Sequence, residues 1–167
     1  MRHLFFFTIL LFAMKSYSTE PEIEAVKILF EASPNSRSAA DRLSTMLATI
    51  DQNSAPLLIC YKGAAEMMQA KYKFNPINKF HKFRTGKKLI EEAVKKESDN
   101  IEIRFLRFAI QTNLPAFLNY NDHIQSDKKF LLNNLQKTKD KRLKQNILNY
   151  LLASKHCSAT EKKGLMT

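Results

Sequence analysis

Apolar residues return every third or fourth position along most of the chain, the spacing that lines one face of an α-helix. The first stripe is Ile23, Val26, Leu29 and Phe30. Pro21 opens it, with Glu22 and Glu24 near the positive end of the helix dipole. "SPNSRS" interrupts the pattern, which resumes with Ala39, Ala40, Leu43, Met46, Leu47 and Ile50 and stops at "DQNSAP". From Pro56, "LLICYKGAAEMMQAKYKF" is apolar around most of its circumference, and such a helix is expected at the centre of the fold.

Asn75-Pro76 marks a break, because the residue before a proline avoids the helical region. A fourth helix is expected from about Asn78 to Glu97, with Phe80, Phe83, Ile90 and Val94 on its core side. "IEIRFLRFAIQTN" alternates at first as a strand would, but its continuation through Leu106, Phe108, Ala109 and Ile110 fits a buried helix better. Pro115 opens a short helical turn, and Asn121 or Asp122 is expected to cap a sixth helix bearing Ile124, Leu131 and Leu135. The last stripe is Leu143, Ile147, Tyr150 and Leu151.

This pattern predicts an all-α fold of about seven helices, paired antiparallel through short connections in a bundle or short solenoid. One domain is expected over residues 19–155, with a flexible tail over 156–167. Three glycines and no tryptophan point away from hairpin-rich β folds.

The N-terminal segment changes the picture. Arg2 precedes an apolar run from Leu4 to Met14, and Ser16-Tyr17-Ser18 supplies the small-residue pattern a signal peptidase reads. Residues 1–18 are therefore expected to be a signal peptide and the protein to be exported to the periplasm or secreted. An uncleaved amphipathic anchor is the competing reading, weakened because the run is short for a bilayer span. Lys+Arg 27 against Asp+Glu 16 gives a net charge of +11, which attracts anionic surfaces. For an exported protein these include anionic lipid, envelope polymer and acidic protein more than nucleic acid. An oxidising compartment would also allow Cys60 and Cys157 to pair; a buried, inert Cys60 is the plainer expectation.

The segment "GKKLIEEAVKKESDNIEIRFL", Gly86 to Leu106, resembles the junction between two tetratricopeptide repeats. Gly86, Ile90 and Ala93 stand where that family has a small residue, a larger one four later and an alanine three after that; Ser98-Asp99-Asn100 takes the place of the turn. Ser98 stands where proline is usual, and about ten residues around "KFNPINKFHK" are inserted relative to a unit of about 34. The chain is also similar to short exported helical proteins of bacteria. The resemblance implies a right-handed stack of helix pairs with a partner-binding groove, and it implies no catalytic residues.

Candidate chemistry is sparse. His81, His123 and His156 are not at metal-ligand spacing from one another or from a Cys-x-x-Cys pair. A zinc site assembled by the fold from Cys60, His156 and Cys157 is the residual alternative to no metal. No phosphate-cradling glycine loop, nucleophile triad or dinucleotide fingerprint is present, so neither an enzyme nor a cofactor is expected. Glu91 and Glu92 stand four residues before Lys95 and Lys96, where helix ion pairs account for them. Glu66 interrupts "GAAEMMQA" and calls for a buried partner such as an arginine.

Arg104, Arg107 and Gln111 share one helix face. They are either ion-paired internally, with Glu66 or Glu97, or aligned to grip an acidic protein or peptide partner. Lys79, Lys82 and Lys88 are expected on a solvated basic edge. A non-enzymatic protein or peptide interaction module is thus the first expectation, and a basic protein docking on an anionic surface the second.

Overall fold

The computed structural model describes residues 20–166. The segment expected to be a signal peptide or an uncleaved anchor, residues 1–18, lies outside the described residues. Eight α-helices follow in order: α1 (Ile23–Ala32), α2 (Arg37–Met46), α3 (Pro56–Lys71), α4 (Pro76–Lys96), α5 (Ile101–Asn113), α6 (Ile124–Asn134), α7 (Lys141–Ala153) and α8 (Ala159–Leu165). Short 3-10 turns lie at Ala116–Leu118 and Leu135–Lys137. The all-α class expected from periodicity is what the chain adopts.

Side-chain caps fix most helix starts by accepting from otherwise unpaired backbone N–H groups. Ser36 caps α2, Asn75 caps α4, Asn100 caps α5 and Asp140 caps α7. Proline occupies the first turn of α3 and α4, where its missing N–H costs nothing. Three starts differ from expectation, the first being α1, which begins at Ile23 behind Glu22 and leaves Pro21 outside the helix. α4 begins at Pro76, so of the residues that looked inserted only Lys73, Phe74 and Asn75 are connection and the others form its first turns. α6 begins after His123 with no side-chain cap, so neither Asn121 nor Asp122 serves.

Within the stretch expected as a tail, residues 156–166 are described and include a helix. Ser158 and Glu161 form a reciprocal capping box that starts α8. Lys128 of α6 bonds the His156 carbonyl at 3.0 Å and pairs with Glu161 at 2.9 Å, tying the segment to the domain. Cys157, expected in a tail, is buried at 6% exposure.

Contacts run between successive helices and also along the odd-numbered row, α1 to α3, α3 to α5 and α5 to α7. Two apolar cores result. The first gathers Val26, Leu43, Leu47, Ile59, Cys60, Ile90, Ala93, Ile103 and Leu106. The second gathers Phe108, Leu131, Leu135, Ile147, Leu151 and Cys157. α5 serves both, because residues on its different sides face different cores. Both thiols are free, and each cysteine sits in its own core.

α3 and α4 approach most closely at two glycines. A Cβ at Gly86 would lie 2.5 Å from the Gly63 carbonyl oxygen and 2.5 Å from Met67 Cγ. A Cβ at Gly63 would lie 2.8 Å from the Gly86 carbonyl oxygen. Since backbone cannot step aside as a side chain can, Gly86→Ala is expected to destabilise the fold by about 1–3 kcal/mol. That overpacking outweighs the helix-propensity gain of up to about 1 kcal/mol. Urea unfolding is the check, and a variant as stable as the parent would contradict the close approach.

Candidate functional site

The arginine face expected to meet a partner is turned inward. Arg107 is 4% exposed and faces Asp127 of α6, which is 0% exposed. Arg107 Nε donates to Asp127 Oδ2 at 2.7 Å and its NH2 to Oδ1 at 2.8 Å, a bidentate pair. Its NH1 donates to Glu91 Oε2 at 2.7 Å. Arg104 Nε also bonds Asp127, while its NH1 donates to the Ser98 carbonyl at 2.9 Å and its guanidinium lies 4.6 Å from the Phe130 ring centroid. Burial works to lower the Arg107 pKa, but hydrogen bonds and charge from Asp127 and then Glu91 outweigh it and hold it above its usual value.

Gln111 completes this cluster rather than a binding face. It is 3% exposed, and its Oε1 accepts from the His123 backbone N–H at 3.2 Å. Its Nε2 lacks a well-formed hydrogen bond, though it interacts with the Tyr120 hydroxyl. Tyr120 donates to Glu91 Oε1 at 2.6 Å, and burial first, then this bond, push its pKa up. The group clamps α4, α5 and α6 together. The internal pairing of the arginines is therefore present, with Asp127 and Glu91 as partners in place of Glu66 or Glu97. Glu91 is drawn into this cluster, whereas Glu92 pairs with Lys96 at 3.5 Å as expected.

Glu66 also has a partner other than arginine: Lys82 of α4, at 2.6 Å. Lys82 thereby leaves the solvated basic edge, on which Lys79 and Lys88 remain exposed. Phe83 is 7% exposed and packs in the fold, but Phe80 is 54% exposed and does not belong to the core side.

What sequence reasoning missed is a trough crossing the odd-numbered helices. One end is a hollow of about 310 Å³ between α1, α3, α5 and α7. Four carboxylates, Glu24, Glu31, Glu102 and Asp140, line it with only two cations, Lys27 and Arg142. Tyr61 donates to Glu102 Oε1 at 2.6 Å, and Lys27 Nζ lies 3.0 Å from Glu102 Oε2. Burial acts to lower the Lys27 pKa, yet the Glu102 hydrogen bond and charge, with Glu24 and Asp140, raise it above normal. Arg142 reaches Glu31 at 2.5 Å. The wall is thus a set of ion pairs with carboxylate in excess.

The hollow continues through Phe30, Phe105 and Leu106, which also line the next one. That second hollow, about 700 Å³, is apolar: Met67, Met68, Ala109, Ile110 and Leu114 line it, with Lys71 and Tyr150 at its margins. The trough has no local sequence signature. Its residues come from four helices, each contributing a few positions, and some of them, such as Tyr61 and Leu106, also belong to the first core.

Cys60 is fully buried, and burial first, then the Glu102 charge, keep its thiol far above its usual pKa. Cys157 is raised in the same direction, by burial and then Glu161. Among the described residues no three His, Cys, Asp or Glu side chains converge as metal ligands, so Cys60, His156 and Cys157 do not meet. Among those residues no helix is long and apolar enough to cross a membrane. No protein-family model, curated protein or solved structure matches the chain.

Proposed function

We propose that this chain is an exported, non-enzymatic interaction module that receives a peptide segment of a partner protein in the trough between its odd-numbered helices. The observation that carries the reading is the trough itself. It presents apolar side chains from α1, α3 and α5 to solvent and ends in a hollow with more carboxylate than cation. Its occupant is accordingly an apolar stretch flanked on one side by a lysine, an arginine or a free amine. In a chain with a net charge of +11, that acidic end is the exception, which makes it a specificity element rather than a by-product of composition. The tetratricopeptide resemblance around Gly86 to Leu106 supports the same mode of action by analogy.

The test is a peptide array in which the apolar run and its flanking charge vary independently. Runs flanked by lysine are expected to bind best, and to keep much of their binding as salt rises because apolar burial anchors them. Met68 lines the trough but belongs to neither core, so Met68→Glu is expected to weaken peptide binding at least about tenfold while leaving the helical circular dichroism unchanged. Equal capture of acid-flanked peptides, or indifference to Met68→Glu, would count against the trough.

A further inference from the structure

Six large apolar side chains are strongly exposed among the described residues, and four stand at one corner of the fold. Phe74 is 94% exposed, Phe117 84%, Ile77 77% and Phe80 54%. Phe74 lies in the connection just before α4, Ile77 and Phe80 in the first turns of α4, and Phe117 in the 3-10 turn after α5. Ile77 and Phe117 are linked through Phe80, which borders one hollow with Ile77 and another with Phe117, and Phe74 stands two residues before the first residue of α4. Phe80 is itself braced, its ring 6.3 Å from that of Phe83, which packs edge-on against Tyr120 at 6.2 Å. The ledge is therefore held by the fold.

Its electrostatic setting is basic, with Glu66 of α3 taken up by Lys82. From Met67 to Ile90 there is no Asp or Glu, and from Asn113 to Tyr120 there is none either. Along α4, Ile77, Phe80, His81, Arg84, Thr85 and Lys88 border a single shallow hollow, so one helix face passes from apolar at its tip to basic behind it. Lys79, exposed, flanks the tip.

We propose that this corner docks on an anionic lipid bilayer, with Phe74, Ile77, Phe80 and Phe117 entering the interface and Lys79, Arg84 and Lys88 facing the headgroups. Two observations select a bilayer over a protein. The apolar side chains project outwards, so a protein partner would need a matching socket for each, whereas an interface accepts them without one. The surrounding charge is cationic apart from Glu66, which is paired with Lys82, and so complements an anionic leaflet as in amphipathic interfacial binding in general. This surface is separate from the acidic end of the trough and does not depend on a peptide being bound there.

The chain contains no tryptophan, so Phe117→Trp places one local reporter at the tip of the full chain. The probes are vesicles of phosphatidylcholine alone and of phosphatidylcholine with phosphatidylglycerol, each with and without brominated acyl chains. Anionic vesicles are expected to shift the emission to the blue and to quench it when brominated, and neutral vesicles to do neither at physiological salt. Because the reporter is local, membrane binding by the apolar run 4–14 leaves it unshifted. Combining Lys79→Gln, Arg84→Gln and Lys88→Gln is expected to lower the affinity read by the same reporter by roughly 100-fold. Unshifted emission with anionic vesicles overturns the proposal. So does an equal response to neutral vesicles, which would mean apolar adsorption alone, or a shift produced only by a trough-binding peptide, which would make the corner part of that site.

Discussion

Replacing Arg107 with alanine is expected to lower the unfolding free energy by about 3–5 kcal/mol, the cost of stranding a buried charge. Asp127 is 0% exposed and would keep only Arg104, while Glu91 would lose its shortest ion pair. Arg104→Ala is expected to cost less, because Arg107 still holds both oxygens of Asp127. The two substitutions share one partner and will not add. A second variant separates charge from packing. Replacing Arg107 with methionine and Asp127 with leucine together removes both charges and is expected to recover much of the loss. Chemical denaturation of the four proteins is the measurement, and an Arg107→Ala variant within about 1 kcal/mol of the parent would show that the cluster is not needed for the fold.

Phe108→Ala is expected to cost a similar amount, about 3–5 kcal/mol, but to spend it in one half of the molecule. Phe108 is 0% exposed in the second core, and Tyr150 of α7 packs edge-on against its ring at 5.9 Å. The first core makes no use of it. Hydrogen exchange should therefore show lost protection in α6, α7 and α8, with α3 and α4 nearly unchanged. Uniform loss across both halves would mean that the two cores unfold as one.

These outcomes invert what the linear pattern suggests about the arginines. Their alignment at positions 104, 107 and 111 was readable because helix geometry alone sets it. Their partner was not, since Asp127 lies 20 residues beyond Arg107 and meets it only once α6 has docked. Lys82 and Phe80 fail for a related reason. Spacing assigns a residue to a helix face but does not say how far the neighbouring helix extends along it. α4 begins earlier than expected, which leaves Phe80 in an exposed first part, while Lys82 falls where Glu66 can reach it.

α8 was missed because a helix of 7 residues with no buried position has no stripe to read; its capping box was the available signal. The long helices were legible apart from the start of α4, and their buried residues match the expected stripes at Val26, Leu43, Ile90 and Ile147. The trough could not be read at all. Its lining is drawn from four helices and includes core residues such as Leu106, and no pattern within one helix records how they come together.

The glycine contact between α3 and α4 bears on how the two exposed apolar regions relate. With backbone against backbone at Gly63 and Gly86, no compressible layer of side chains separates the helices. The pair is therefore in backbone contact at this point, and the Phe80 end of α4 extends beyond it. Met67 rests on Gly86 at this contact and borders both the trough and the hollow beneath Phe80 and Phe117. With Lys71, Asn113 and Leu114, it forms the wall that the trough and the corner hold in common.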